Sequence, residues 1–425
     1  MVDIDPKHEY YSIRFKEKEK RQNKRDDKLE VVRAEAGIRD TSNVLDLVKE
    51  ARRTRDSENK NNPNIAKDHQ TITDFNLYHM PDVAIKLSNE QAAKLRRHPD
   101  IRWVVKSQLR TAKAESVPWG ITRVGGGANV DNTKYHRGYG VRVAVIDTGI
   151  DFNHVDLKPN YKGGVSFIPG NSSPLADDKP HYHGTHVSGT IAAAINNTGV
   201  VGVAPEAWLH AVKVLGANGG SVGESVTEGI VWANENNMDV LSMSLGGFGF
   251  TQAESDAVHT AYTSNRFVSC AAGNENINGN PNGPGQPLIE YPAGLAGSWA
   301  IAAVDDTDTV ADFSNYGPVG YVDFSCPGVN VISDMNGGGT QSLNGTSMAT
   351  PHASGIFALG LSNYRFTPCD TNVYDPKLTK ISHIVGAMIA SCDTLGQTSS
   401  GVQNAHYGFG MPQISTMLQM LNGNT

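Results

Sequence analysis

Three short segments of the chain each carry a side chain that could take part in acid–base or nucleophilic chemistry. Asp147 lies in VAVIDTGID, His183 opens HGTHVSGTIAA, and Ser347 lies in NGTSMATPHASG. Singly, such residues are more often a turn former, a structural histidine and a helix cap. Together they supply the acid, base and nucleophile of covalent acyl transfer, and this combination favours a catalytic site.

The elements around these residues could hold them rigidly. The apolar run VRVAVID predicts a strand that is buried on both faces and ends at Asp147. His183 and Ser347 each begin a helix of small residues; the positive end of the first disfavours a charged imidazole, and the N–H of Ser347 could point at a developing oxyanion. Asn274 follows the apolar strand FVSCAAG. It could donate a second hydrogen bond to that oxyanion, with capping of a turn as the alternative.

Apolar strands alternate with helical stretches from residue 140 onwards. This alternation predicts an α/β fold with a parallel sheet and helices on both of its faces. The strand candidates are 141–147, 208–215, 240–245, 267–272 and 299–304, and the helix candidates are 184–195, 223–237, 252–264 and 346–361.

The first part of the chain has a different character. The charge run 16–26 and the polar stretch 51–62 would be solvated, and the strand and helix signals between and after them follow the order βαββαβ. We therefore predict a small α+β domain over 1–113 and one large α/β domain over 114–425. Acidic residues are interspersed in the charge run and the net charge is −7, so binding of nucleic acid is not expected.

These motifs resemble those of the subtilisin-like serine proteases, in which Asp, His and Ser follow one another in the same order. The stretch GIVWANENNMDVLSMSLGG carries the likeness further, and the match weakens over 362–410. The resemblance implies an endopeptidase in which Ser347 attacks a peptide carbonyl, His183 transfers the proton and Asp147 orients the imidazole. Asn274 and the N–H of Ser347 would stabilise the oxyanion. A ligase or cyclase of the same family and an inactive binding module stay open, and His186 is expected to be structural.

The segment VAIKLSNEQAAKLRRHPDIRWVVKSQ resembles the inhibitory propeptide of subtilisins. Residues 1–113 are therefore expected to assist folding and to inhibit the mature enzyme, with an unrelated accessory domain as the alternative. AESVPWGI resembles the start of the mature family enzymes, which places the junction between Lys113 and Ala114. A zymogen that cuts itself there must accept Lys113 in its own specificity pocket.

The resemblance also implies where that pocket lies. Glu290 would be at its base and Glu275 near its rim, so that Lys or Arg before the scissile bond would supply the missing positive charge. The alternative is that Glu290 points into solvent. Gly219 is a further substrate-binding candidate, and Gly223 stands where many relatives carry an aromatic lid over the next subsite. The pocket walls would be Ser244, Leu245 and Gly246 on one side and Ala271, Ala272 and Gly273 on the other.

A structural calcium site is the one cofactor that the resemblance implies. Calcium takes six to eight hard oxygen ligands. Glu115 stands where relatives use a Gln ligand, and an anionic replacement should retain binding; an ordinary Asn-Gly turn is the alternative. No His/Cys cluster has the sequence spacing of a zinc site. The calcium ligands would be the side chains of Glu115, Asp156 and Asn196 and the carbonyls of Ala194, Thr198 and Val200.

Compartment and partners are less determined by the sequence. The segment MVDIDPKHEYYSIRFKEK lacks the apolar core of a signal peptide, and no run of eighteen apolar residues could span a bilayer, so leaderless, virion-associated and intracellular routes stay open. Cys270 and Cys326 are expected to be buried thiols, whereas Cys369 and Cys392 could pair or stay free. We expect a monomer whose partners are protein or peptide substrates and its own propeptide.

Overall fold

The chain divides into two units, Met1–Ala112 and Lys113–Thr425. A computed structural model describes residues 9–15, 82–87, 93, 96–97, 101–106, 115–130, 136–170, 173, 177, 182–216, 219–221, 223–275, 288–366, 380–395 and 401–422. All structural statements below concern these residues.

The amino-terminal unit contains an antiparallel sheet with strand order β2-β1-β3. Its strands are β1 (Glu9–Phe15), β2 (Asp82–Leu87) and β3 (Ile101–Lys106), which confirms the strands predicted in EYYSIRF, DVAIKL and DIRWVVKSQ. In the predicted helix SNEQAAKLRRH, Ala93 and Arg96 are described and helical. The predicted helix VLDLVKEARR and strand TITDFNLY lie outside the described residues.

The larger unit is built on seven parallel strands in the order β10-β9-β8-β7-β4-β6-β5. All five predicted strands are present, with carboxyl ends at or just before the expected residue. The sequence did not indicate β5, which contains two glycines, or the four-residue β10, because neither forms a long apolar run. The strands are β4 (Arg142–Asp147), β5 (Tyr161–Ser166), β6 (Trp208–Lys213), β7 (Val240–Met243), β8 (Phe267–Ala271), β9 (Trp299–Val304) and β10 (Phe324–Pro327).

The helices of this unit include the four that the sequence predicts. The helix that contains Ser347 is longer than expected, because buried small and apolar residues continue past the predicted end. The helices are α1 (Trp119–Val124), α2 (His183–Ala192), α3 (Gly223–Glu235), α4 (Gln252–Thr263), α5 (Thr346–Phe366), α6 (Lys380–Ala390) and α7 (Ile414–Leu421).

Alternate residues of β4 face opposite sides of the sheet. Val143 and Val145 belong to one hydrophobic cluster, which α2 and α5 complete, whereas Ala144 and Ile146 belong to a second cluster, which α3 and α4 complete. A strand covered on both faces must be apolar at every position, which explains the unbroken run VAVI. The prediction of a parallel sheet with helices on both faces is therefore confirmed.

Two short hairpins complete the unit. β11 (Val331–Asp334) pairs with β12 (Thr340–Leu343), and β13 (Cys392–Asp393) pairs with β14 (Met411–Pro412). In the β11–β12 turn, the consecutive residues Gly337, Gly338 and Gly339 have φ of 84°, 96° and 87°. These values lie in the left-handed region, where glycine is strongly favoured.

The cysteines of the described residues are thiols. Cys270, Cys326 and Cys392 are free and buried, and the Sγ of Cys392 donates to the Met388 carbonyl over 3.2 Å. Cys369 lies outside the described residues. Across the described ranges we find no helix with the length and apolar character that crossing a membrane would require.

Candidate active site

Asp147 and His183 are in direct contact. Asp147 is the last residue of β4 and fully buried, and His183 is the first residue of α2, so the strand and the helix bring them together. The Nδ1 atom of His183 lies 2.9 Å from each carboxylate oxygen of Asp147. Because a carboxylate only accepts hydrogen bonds, the proton must be on Nδ1, which leaves the lone pair on Nε2.

Two opposing effects act on the imidazole of His183. Burial lowers its pKa, while the charge of Asp147 and the hydrogen bond to it raise that pKa by more. The pKa of His183 therefore lies above its ordinary value. This direction is opposite to the one that we expected from the positive end of α2.

A second carboxylate, that of Asp177, holds the segments next to this pair in place, and the sequence analysis missed it. Asp177 accepts a hydrogen bond from Thr148 Oγ1 at 2.6 Å and from the N–H of Thr185 at 2.9 Å, while Thr148 Oγ1 accepts from the N–H of Gly184 at 2.9 Å. Burial raises the pKa of Asp177 to about 6. The bonds join the turn after β4 to the first turn of α2.

Ser347 is the second residue of α5 and faces the same cavity as His183. This cavity has a volume of about 660 Å³, and Thr148, His183 and Ser347 are among its lining residues. The Ser347 hydroxyl donates to the Ser244 carbonyl at 3.1 Å, and the Ser244 hydroxyl donates to the Ser347 carbonyl at 2.8 Å. The serine hydroxyl thus bonds to the segment after β7. Catalytic hydrogen bonds in free enzymes often tighten only when substrate binds.

Asn274 is fixed through its amide oxygen. The Oδ1 atom accepts from the N–H of Thr346 at 2.8 Å and from its hydroxyl at 3.0 Å. This network assigns the amide so that Nδ2 is the free end, and no described group accepts a hydrogen bond from it. Asn274 therefore presents a donor close to the start of α5.

The predicted substrate-binding residues fall into three groups. Ser244, Leu245, Gly246 and Gly219 line the cavity. Gly223 is the first residue of α3. Ala271, Ala272 and Gly273, which we expected to form the opposite wall, are buried at the end of β8 and just beyond it, and they are not among the described residues that line this cavity.

Glu290 packs between the two predicted walls. A methyl group on Gly246 would lie 2.3 Å from Glu290 Oε2, and one on Gly273 would lie 2.9 Å from Glu290 Cγ. Burial, together with the charge of Glu275, raises the pKa of Glu290 to about 7. Glu275 is itself held, because its Oε2 accepts from Asn315 Nδ2 at 2.8 Å. Glu290 is thus a half-buried carboxylate without a cation beside it among the described residues.

Comparison with known proteins decides the family. Residues 138–410 match the subtilase family of peptidases. The chain is 43% identical to M-protease of Shouchella clausii over 280 residues, which is 66% of this chain and 69% of that protein. It is 41% identical to subtilisin NAT of Bacillus subtilis subsp. natto over 281 residues, 66% of this chain and 70% of that protein.

The chain belongs to the subtilase family. It is a serine endopeptidase, and the comparisons do not favour a ligase, a cyclase or an inactive binding module. The thermostable alkaline protease of Halalkalibacterium halodurans is another relative, 42% identical over 290 residues, 67% of this chain and 73% of that protein.

The calcium ligands that we expect of a subtilase gather in one place. Asp156 Oδ1 accepts from Asn196 Nδ2 at 3.0 Å and from Thr198 Oγ1 at 3.2 Å, and its Oδ2 accepts from the N–H of Val200 at 3.1 Å. Glu115 Oε1 accepts from the N–H of Asn196 at 2.6 Å. Two carboxylates thus converge on one loop, where they accept hydrogen bonds from its N–H, amide and hydroxyl groups. Carboxylates are among the oxygen ligands that calcium takes.

The remaining expected ligand and the nearby histidine have clear contacts. Ala194 donates its N–H to the backbone carbonyl of Asp156 at 2.9 Å, which fixes the start of the loop.

His186 is buried, and its Nε2 lies 3.1 Å from the Val331 carbonyl and 3.0 Å from the Gln341 carbonyl. Burial lowers the pKa of His186 to about 4. A neutral imidazole that joins α2 to the β11–β12 hairpin fits the expected structural role.

Proposed function

We propose that Asp147, His183 and Ser347 are the catalytic triad of this subtilase. The observation that carries the proposal is the contact of His183 Nδ1 with both oxygens of Asp147 at 2.9 Å. It leaves Nε2 able to take the hydroxyl proton of Ser347 as the oxygen attacks a peptide carbonyl. The imidazolium that forms is stabilised by Asp147, and it then gives the proton to the leaving amine.

The oxyanion of the tetrahedral intermediate needs donors that are already in place. Asn274 Nδ2 and the backbone N–H of Ser347 are the proposed pair. The hydrogen bonds from Thr346 to Asn274 Oδ1 support this role, because they orient the amide before substrate arrives. Donors that are fixed in advance need no reorganisation when charge develops.

Glu290 is the proposed determinant of a preference for Lys or Arg before the scissile bond. A carboxylate enclosed between Gly246 and Gly273 is poorly solvated, and its raised pKa reflects that cost. A substrate cation would pair with it and remove the cost. The residue before the proposed junction, Lys113, fits the same preference.

Residues 1–113 are the proposed propeptide, removed by cleavage between Lys113 and Ala114 once the enzyme has folded. Glu115 is the second residue after this junction and contacts the 194–200 loop through its carboxylate. Cleavage would leave these contacts at the new amino terminus. The protein would then act on protein or peptide substrates with its own propeptide as inhibitor.

Calcium is the proposed structural ion. The side chains of Glu115, Asp156 and Asn196 would hold it, together with the carbonyls of Ala194, Thr198 and Val200. When bound, the ion supplies positive charge that joins the amino terminus of the larger unit to the 194–200 loop. The residues fit because the two carboxylates already face the same loop.

A fluorophosphonate probe tests the triad. The probe should label the purified chain once, and peptide mapping should place the adduct on Ser347. Ser347→Ala should abolish labelling, whereas the exposed Ser342→Ala in β12 should keep it as the matched control. Labelling that survives in Ser347→Ala, or an adduct on another residue, would refute the assignment of the nucleophile.

A further inference from the structure

Outside the substrate cavity, three buried side chains converge between the loop after β4 and the β11–β12 hairpin. His154, Asp156 and Asp334 each direct one potential ligand atom into this cluster, and the three atoms lie within 4.8 Å of one another. Their exposed fractions are 4%, 0% and 0%. Any charge in the cluster is therefore shielded from water by the fold.

Asp334 is the residue that this arrangement leaves unexplained. Neither of its carboxylate oxygens accepts a hydrogen bond from any described residue. Its Oδ2 lies 3.7 Å from His154 Nδ1, and it faces the carboxylate of Asp156. A buried carboxylate that faces another carboxylate requires a cation or a proton between them.

The imidazole of His154 is oriented to offer a lone pair to the same cluster. Its Nε2 lies 3.3 Å from the Gly339 carbonyl, which can only accept, so Nε2 carries the proton. The N–H of Asp156 donates to His154 Nδ1 over 3.3 Å, which also requires that Nδ1 be unprotonated, and a metal ion on Nδ1 would replace this long hydrogen bond. A histidine whose distal N–H is held by a backbone carbonyl is the usual arrangement at metal sites.

We propose that His154, Asp156 and Asp334 bind a divalent transition-metal ion, with zinc as the best match. Imidazole nitrogen and carboxylate oxygen are both zinc ligands, and bonds of about 2.0–2.1 Å bring tetrahedral ligand atoms to roughly 3.3 Å from one another. The 3.7 Å between His154 Nδ1 and Asp334 Oδ2 needs only a small contraction to reach that spacing.

This site is distinct from the proposed calcium site, although both use Asp156. Three hydrogen bonds reach the Asp156 side chain from the 194–200 loop, and a carboxylate has about four lone-pair directions. Calcium and zinc together need two directions, so at least one of these hydrogen bonds would be given up when Asp156 bridges the two sites. The zinc would join the loop after β4 to the hairpin that leads into Ser347.

Titration of the full chain with zinc tests the proposal. The untagged chain should carry Ser347→Ala to prevent self-digestion, be stripped with chelator and then be held in excess calcium. Calorimetry and elemental analysis should find one zinc per chain, and Asp334→Asn should weaken binding by more than about tenfold. Asp151→Asn is the matched control and should bind zinc as the parent does. It removes a nearby carboxylate that holds the Gly337 N–H, while all three ligands stay in place.

Two further variants keep the outcome decisive. Glu115→Ala should weaken calcium binding and, at saturating calcium, leave zinc binding unchanged, whereas His154→Gln should weaken zinc binding as Asp334→Asn does. Without metal, Asp334→Asn should melt no lower than the parent because it replaces a buried carboxyl group that has no hydrogen-bond partner among the described residues, and zinc should raise the melting temperature of the parent alone. A parent chain that binds no zinc, or zinc binding that is equal in parent and Asp334→Asn, would overturn the proposal.

Discussion

At the scale of single residues, the position of Glu290 gives the sharpest expectation about specificity. Glu290→Gln keeps the shape of the side chain and removes its charge. We expect kcat/KM for substrates with Lys before the scissile bond to fall tenfold or more, because an enclosed ion pair is lost. Matched Leu substrates serve as the control and should change little. An unchanged Lys preference in the variant would place the carboxylate outside the pocket.

The same carboxylate predicts a pH dependence. The pKa of Glu290 is raised to about 7, so the carboxyl is neutral below that pH and charged above it. The ratio of kcat/KM for Lys over Leu substrates should therefore rise as the pH passes through about 7. Glu290→Gln should give a flat ratio over the same range, and a parallel rise in the variant would assign the effect to another group.

The contact between Asp147 and His183 predicts how the triad responds to loss of its carboxylate. Asp147→Asn should lower kcat by about 10⁴, because an amide cannot hold the imidazole in the required tautomer or stabilise its charge. The pH at which kcat/KM reaches half of its maximum should also fall, since Asp147 is what raises the His183 pKa. Full pH profiles of both proteins measure the two effects. A shift to higher pH would contradict the electrostatic argument.

At the scale of elements, the 194–200 loop depends on contacts with Asp156 and Glu115. Chelation should lower the melting temperature of the mature enzyme and speed its self-digestion, because calcium binds only the native loop; at a hundredfold excess over Kd the ion contributes about 2.7 kcal/mol. Glu115→Ala should weaken calcium binding, and the exposed Glu206→Ala should not. A melting curve insensitive to chelator would remove the proposed site.

The sequence predicts a strand or a helix well where the residues of that segment alone show the pattern. β4 carries the unbroken apolar run VAVI because both of its faces are buried, and the apolar run of β8 is interrupted only by Ser269. Helix α2 begins at His183, and α5 begins one residue before Ser347. Contacts between distant segments carry no such signal. Neither the bonds from Asp177 to the first turn of α2 nor the approach of Asp334 to His154 can be read from spacing.

The zinc site proposed above illustrates this limit, because no spacing pattern in the sequence indicates it. Close spacing of His and Cys along the chain indicates a metal site only when one loop or helix supplies the ligands. Here the imidazole comes from the loop after β4, and a carboxylate comes from the end of β11. The fold alone brings them together, so the sequence analysis found no zinc site.

At the scale of the whole molecule, the order of events during maturation can be tested. Ser347→Ala should yield an uncut polypeptide that retains residues 1–113, because the proposed processing uses the chain's own nucleophile. Ser342→Ala should mature normally. Mass spectrometry of both proteins, purified away from other proteases, measures the outcome. A Ser347→Ala chain that still loses residues 1–113 would show that another protease does the cutting.

The strand order of the large sheet has a kinetic consequence. Strand β4 pairs with the central strand β7, and the hydrogen bond from the N–H of Arg142 to Asp239 beside this pairing closes a span of 97 residues. Parallel pairings between distant segments form slowly, because the entropy of closing a long loop is lost before the contacts repay it. Residues 114–425 refolding alone should therefore cross a high barrier, and the same barrier should slow unfolding of the mature enzyme. A protease molecule that unfolds rarely exposes few cleavable segments to other protease molecules. The lifetime of the mature enzyme would therefore be set by how slowly the strands of this sheet separate.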